Sequence, residues 1–256
     1  MSVKIINRVS NPTISLIVPA YMEEKILDSI LKTYKRELLA KYNAELIVSD
    51  GGSTDQTVAI AEQYADIIAV HTEKRRQTIA EGRNAGAEFA TGKAFVFING
   101  DTYPENAAEF LDFIAKWADG KSKFSKYGAL ATRVYVSADD KTMGDVVFYN
   151  LFNTYVNILN KIGLGMCRGE CQIVKNEVFR SVSGYNPALA AGEDFDLFMR
   201  IAKIAKTRYV SDITVIESPR RFRQQGYFRV LFQWARNGFA VLLKGKASDS
   251  EWTAIR

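Results

Sequence analysis

Four short, mostly apolar runs punctuate the first hundred residues: ISLIV at 14–18, ELIVS at 45–49, IIAV at 67–70 and AFVFI at 94–98. Amphipathic segments separate them, over about residues 23–40, 55–64 and 77–90. This alternation constrains the fold more than any single motif does. Strands that read as nearly unbroken apolar runs are buried on both faces, and helices must supply the cover. The expectation is an α/β domain with a mostly parallel sheet flanked by helices. A chain of 256 residues with 47% hydrophobic content can bury one such core.

In an open α/β sheet, ligands bind beyond the C-terminal ends of the strands. The residues there therefore carry the functional expectations. The fourth run continues as FVFINGDTYP over residues 95–104, which delivers Asp101 onto a glycine-loosened turn at a strand end. A carboxylate so placed suits Mg²⁺ or Mn²⁺ bridging two phosphates, because Mg²⁺ takes one or two protein carboxylates and completes its shell with phosphate and water oxygens. Asn-Gly-Asp is also ordinary turn chemistry. The first run ends in VPAYMEE and the second in VSDGGSTD, so Tyr21, Glu23, Asp50 and Asp55 converge on one edge. Asp50 can accept hydrogen bonds from the N–H groups of uracil or guanine, and Tyr21 offers a ring face for stacking. Ser53 and Thr54 are placed to cap the second helix. No G-x-G-x-x-G follows either strand, which argues against a dinucleotide-binding dehydrogenase.

After Asp101 the rhythm changes. Pro104 opens another helix, a strand follows near 129–136, an aromatic-rich helix covers about 145–162, and a further strand lies near 214–217. The first hundred residues read as a nucleotide-binding half and the remainder as an acceptor-binding half. Cys167 and Cys171 are too few for a disulfide scaffold and lack metal-site spacing, so they read as reduced thiols in a cytosolic setting. His71, the single histidine, reads as a strand-end residue, and the basic run Lys74–Gln77 as a solvated helix start. A net charge of +5 fits phosphate-bearing ligands or an anionic membrane surface as well as nucleic acid. No apolar run approaches the roughly 20 residues that span a bilayer.

VPAYMEE, VSDGGSTDQT, GRNAGAEFATG, FINGDTYP, VFRSVSGYNP and AGEDFDLFMR follow one another in this order. Their order and spacing resemble those of inverting glycosyltransferases of the GT-A fold, in the family that includes dolichol-phosphate mannose synthases and cellulose synthases. The resemblance covers roughly residues 13–235. It implies a single GT-A domain, a Rossmann-like sheet flanked by helices, over residues 13–225. The nucleotide-sugar half would span about 13–103 and the acceptor half about 104–225. Residues 1–12 would be an N-terminal extension, and 226–256 an amphipathic segment of the kind that precedes membrane helices in a longer chain.

By the same resemblance, Pro19, Tyr21, Glu23 and Asp50 line the nucleobase and ribose pocket, and Arg83 helps hold the nucleotide. Asp101 matches the last acid of the family's Asp-x-Asp motif, with Gly100 in the same turn. Asn99 stands where the first acid is usual, so the Mg²⁺ or Mn²⁺ site of Asn99 and Asp101 lacks one charge. Glu193 and Asp194 match the family's Glu-Asp pair, and Asp194 takes the role of general base. Arg220 or Arg221, from SPRRFRQQG, would face the diphosphate. The family's Gln-x-x-Arg-Trp motif is reduced here to Gln233-Trp234.

The chemistry requires such groups. Inverting transfer needs a carboxylate to take the acceptor's proton, and cations or arginines to neutralise the departing diphosphate. The expected partners are a nucleotide sugar, with GDP-mannose favoured by the resemblance, and a lipid-linked or glycan acceptor at the cytoplasmic face of a membrane. Nucleic acid is not among them. A soluble acceptor, or a silent nucleotide-sugar-binding module, is the alternative. Phe148, Leu151, Phe152, Tyr155, Leu159 and Ile162 recur at helical spacing and read as a core stripe. The segment 226–246 pairs aromatic with basic residues, as a helix at a membrane interface does.

Overall fold

The computed structural model describes residues 1–244, except the side chains of residues 221, 235 and 237–244. Arg221 and the basic residues beyond 236 therefore lie outside the described side chains. The first hundred residues form β1 (Ser2–Ile5), β2 (Ile14–Ala20), α1 (Leu27–Leu31), α2 (Arg36–Lys41), β3 (Ala44–Asp50), α3 (Thr57–Ala61), β4 (Ile67–Val70), α4 (Ile79–Phe89) and β5 (Ala94–Ile98). Then come β6 (Thr102–Pro104), α5 (Ala107–Ala118), β7 (Ala129–Tyr135), α6 (Met143–Lys161), β8 (Cys171–Lys175) and α7 (Asn176–Ser181). The last elements are α8 (Glu193–Ala202), β9 (Thr207–Glu217), α9 (Arg220–Gln225) and α10 (Tyr227–Lys244).

The nine strands of the described residues join one sheet in the order β1-β4-β3-β2-β5-β8-β7-β9-β6. The four strands expected from the sequence, β4-β3-β2-β5, run parallel as one block. β8, which has no counterpart in the sequence reading, runs antiparallel to both β5 and β7 and joins the two halves. β1 falls within the stretch read as an extension and pairs antiparallel with β4 at the sheet edge.

Alternation along the strands divides the core into two layers. Val96 and Ile98 of β5 face a cluster with Phe110, Leu111, Ile114 and Trp117 of α5, whereas Phe95 and Phe97 face the opposite cluster with Leu197, Phe198 and Ile201 of α8. On the second face α4 lies close to the sheet, because Gly86 leaves room where a Cβ would come within 2.5 Å of Ile17 Cγ2. That close approach carries Arg83, one turn earlier, under the strand ends.

Three local readings need correction. Pro104 ends β6 instead of opening a helix, and α5 starts after Asn106, whose side chain caps it. The helix expected over 23–40 breaks into α1 and α2. Thr33 and Tyr34 donate their amides to the carbonyls of Ile30 and Leu31, three residues back, which closes the turn while Tyr34 enters the core. The aromatic helix forms as α6, but its stripe is not all core. Phe148 is buried, whereas Leu151, Tyr155 and Ile162 are exposed.

Candidate active site

The C-terminal ends of β2, β3 and β5 hold the residues expected at a nucleotide. Asp50 ends β3 with no exposed surface, and its Oδ2 accepts the amides of Gly52 and Ser53 at 2.9 and 2.8 Å. Its Oδ1 is buried without a partner among the described residues. Such an orphan acceptor calls for an explanation, and a nucleobase N–H is a group of the right chemistry. Ser53 and Thr54 do not cap α3. Ser53 Oγ accepts the amide of Met22 at 2.8 Å, Thr54 contacts Met22 Sδ, and Thr57 Oγ1 accepts the amide of Glu23 at 2.8 Å. These bonds tie the loop after β3 to the loop after β2, and so fix Tyr21 and Glu23 beside Asp50. The Arg76 guanidinium lies 5.6 Å from the centre of the Tyr21 ring, so this part of the basic run packs against the site. His71 hydrogen-bonds through its amide to the carbonyl of Asp50 and through Nε2 to the carbonyl of Arg75, a strand-end brace.

At the end of β5, Gly100 sits where a Cβ would be 3.3 Å from the carbonyl of Pro19, which keeps the Asp101 turn tight against β2. Asp101 accepts from Arg220 Nη2 at 3.2 Å, and the same nitrogen lies 3.9 Å from Glu23 Oε2. Glu23, Asp101 and Arg220, distant in sequence, are thus brought together. Burial raises the Asp101 carboxyl above its ordinary value, partly offset by Arg220.

Arg83 was expected to reach the nucleotide, but it turns inward. Only 1% of its side chain is exposed; Nη1 donates to Glu193 Oε1 at 2.6 Å, and Nη2 donates to the Gly169 carbonyl at 2.6 Å and to Asn99 Oδ1 at 3.1 Å. Asn99 therefore holds Arg83 through the oxygen expected to face a metal, and Glu193 acts as the counter-ion of Arg83. One side chain from α4 so joins the end of β5, the loop before β8 and the start of α8. Next to it, Asn84 exchanges two hydrogen bonds with the backbone of Tyr185, which anchors the loop leading to α8.

Asp194 follows in the first turn of α8, after Gly192 enters the helix at φ 76°. A Cβ on Gly169 would lie 3.5 Å from Asp194 Oδ2 and 3.6 Å from Arg83 Nη2, so the carboxylate borders the Arg83 hub. Burial, reinforced by the charge of Glu193 and opposed by Arg83, pushes the Asp194 carboxyl up to about 7. A carboxylate titrating there is suited to proton transfer near neutrality.

A buried charge cluster escaped the sequence reading. Arg168 donates to Glu170 at 3.0 and 3.1 Å and also to Glu217, while its guanidinium lies over Tyr149, Phe152 and Trp234. Against the cost of burial, Arg168 holds Glu170 below the usual carboxylate range, whereas burial drives Glu217 well above it. The available signal was the run CRGEC, two opposite charges between cysteines at a strand start. Cys167 and Cys171 themselves are buried free thiols, and burial pushes both up, Cys171 to about 12. Neither is poised to react.

Asp101 fits a divalent cation shared with phosphates. It is a strand-end carboxylate, 34% exposed, with one guanidinium partner that a cation could replace. No group of three or more His, Cys, Asp or Glu able to hold a metal occurs among the described residues.

A mixed sheet with acids at the ends of β3 and β5 and a Glu-Asp pair opening α8 defines a GT-A fold. The mannosyltransferase PcManGT from Pyrobaculum calidifontis, solved in complex with GDP-Man and Mn²⁺, superposes with a TM-score of 0.67 at 19% identity, over 94% of this chain and 67% of that one. The chain belongs to glycosyl transferase family 2, whose family model matches residues 15–183. It is 25% identical over 250 residues to the succinoglycan biosynthesis protein ExoA of Rhizobium meliloti, covering 91% of this chain and 71% of that protein. It is also 34% identical over 91 residues to validoxylamine A glucosyltransferase of Streptomyces hygroscopicus subsp. limoneus. That match spans 34% of this chain and only 20% of the relative.

Proposed function

We propose that this protein transfers a hexosyl group from a nucleotide sugar, with inversion at the anomeric carbon, to a hydroxyl or phosphate of a lipid-linked acceptor. The observation that carries the reading is Asp194, a carboxylate held near neutrality at the start of α8 and bordered by the Arg83 hub. The acceptor oxygen attacks the anomeric carbon as the bond from that carbon to the diphosphate breaks, and Asp194 takes the acceptor's proton. Arg83 and Glu193 position Asp194. The carboxyl of Asp50, with Oδ1 unsatisfied, receives an N–H of the base, and Tyr21 and Glu23 border the ribose. Arg220 meets the diphosphate as negative charge grows there, a preorganised neutralisation. A bound Mg²⁺ or Mn²⁺ would add Lewis-acid neutralisation at the diphosphate, with Asp101 as its protein ligand.

GDP-mannose is the favoured donor, because the motif resemblance leans to mannosyl transfer and the PcManGT complex holds that nucleotide sugar. Among the described residues no helix is long and apolar enough to cross a membrane. A lipid-linked acceptor would be met at the cytoplasmic membrane surface. The test is a thermal-shift screen of GDP- and UDP-sugars with Mg²⁺ or Mn²⁺, followed by assay of nucleoside diphosphate release. A true donor at 100 times its dissociation constant stabilises by about 2.7 kcal/mol. If no nucleotide sugar shifts the transition, the reading is wrong; if donors bind but are never turned over with lipid or glycan acceptors, a silent binding module replaces the enzyme.

A further inference from the structure

Helix α6 has two apolar faces. Phe148, Tyr149 and Val156 are buried against the body of the protein. Met143, Val147, Leu151, Tyr155, Ile158 and Ile162 point to solvent, with Leu151 67% exposed. At 3.6 residues per turn these six occupy about one third of the helix circumference. The neighbouring α10 packs against α6 by placing Tyr227 and Trp234 on Phe148, and it leaves Phe228 90% and Phe232 72% exposed. Scattered exposed apolar residues are ordinary; a continuous stripe on a helix marks an interaction surface.

The charge on these helices selects the partner. The only acid of α6, Asp145, is fully buried and bound by Arg223, which leaves Lys161 as its exposed charge. From Tyr227 to Lys244 the chain contains no acid, and Arg229 and Arg236 are exposed. Exposed Asp139 and Asp140 lie outside the stripe, in the loop before α6. Two copies meeting through this face would bring like charges together, whereas an anionic bilayer complements both the apolar stripe and its basic border.

We propose that α6 and α10 form a docking surface for an anionic membrane, with the stripe of α6 and Phe228 and Phe232 entering the headgroup–acyl boundary and Lys161, Arg229 and Arg236 meeting lipid phosphates. The surface backs directly onto the acceptor half. Phe152 and Trp234 lie beneath Arg168, which binds Glu217, and Arg220, the partner of Asp101, follows that residue closely in the chain. The inference rests on the proposed function only in placing the acceptor at this membrane.

The full chain would be co-sedimented with neutral phosphatidylcholine vesicles and with vesicles containing phosphatidylglycerol, at low and high salt. Wild type should bind the anionic vesicles, and less so as salt rises. Leu151→Ser with Ile158→Ser, and separately Phe228→Ser with Phe232→Ser, should each weaken binding about tenfold through lost apolar contact. Their melting temperature and donor-induced thermal shift should stay at the wild-type values, since none of these residues lies in the site. Absence of vesicle binding, or binding unchanged by Leu151→Ser with Ile158→Ser, overturns the proposal. So does a wild-type dimer in light scattering that this double variant turns into monomer. Vesicle binding without any donor-induced shift would leave the docking surface standing and sink the glycosyltransferase reading alone.

Discussion

Arg83→Met tests whether a buried guanidinium, through Glu193, holds the start of α8 and with it Asp194 in place. The substitution keeps much of the side-chain volume but removes bonds to Glu193 at 2.6 Å, Gly169 at 2.6 Å and Asn99 at 3.1 Å. Glu193, only 7% exposed at its side chain, is left as an unpaired buried charge. Breaking such a pair by removing one partner costs about 3–5 kcal/mol. For a domain of this size that corresponds to a fall of roughly 6–20 °C in melting temperature. Chemical denaturation of wild type, Arg83→Met, Glu193→Gln and the double variant completes a cycle, and the double variant should recover a substantial part of the loss. A second readout is independent of stability. Arg83 opposes the upward shift of Asp194, so its removal should move the rising limb of the pH–rate profile to higher pH. A cost below about 1 kcal/mol, the range of an exposed pair, together with an unmoved pH profile would refute the reasoning.

Further outcomes follow from the same geometry. Turnover should rise with pH through about 7 as Asp194 loses its proton, and Asp194→Asn should lower turnover by roughly 10² to 10⁴ while changing donor affinity far less; an equal loss of both would make Asp194 a donor ligand. Because its folded value lies above the ordinary 3.8, protonated Asp194 favours the native state at low pH, and that contribution fades as pH rises through about 7. Asp101→Asn should abolish most metal-dependent donor binding, read as the loss of the Mn²⁺-dependent part of the donor thermal shift. Full activity of this variant, or of wild type in excess chelator, removes the metal from Asp101.

β2 to β5 were legible because burial on both faces writes itself into consecutive residues, whereas β1, exposed along its length, carries no such signal. A strand end is also a local event, which is why Asp50 and Asp101 could be placed at strand termini from sequence. The Glu193-Asp194 pair was legible only by resemblance, since two acids opening a helix are ordinary helix chemistry. β8 stayed hidden because CQIVK is short, and its pairing partners, β5 and β7, are distant in the chain.

Sequence alone determined the alternation of strand and helix, and with it the edge of the sheet on which the polar strand-end residues gather. Tertiary structure decided which way the ambiguous side chains face. Arg83 could have met a phosphate or a carboxylate, and it turned inward because Glu193, Asn99 and the Gly169 carbonyl converge on it from three separate segments. α6 is apolar around most of its circumference, so its periodicity could not say which arc the sheet would cover. Only the packing of β7, β9 and α10 against one arc left Leu151, Tyr155 and Ile158 in solvent. A periodic pattern fixes the spacing of contacts along one element, but the partner of each face depends on segments brought together by folding, and that information is spread over the whole chain.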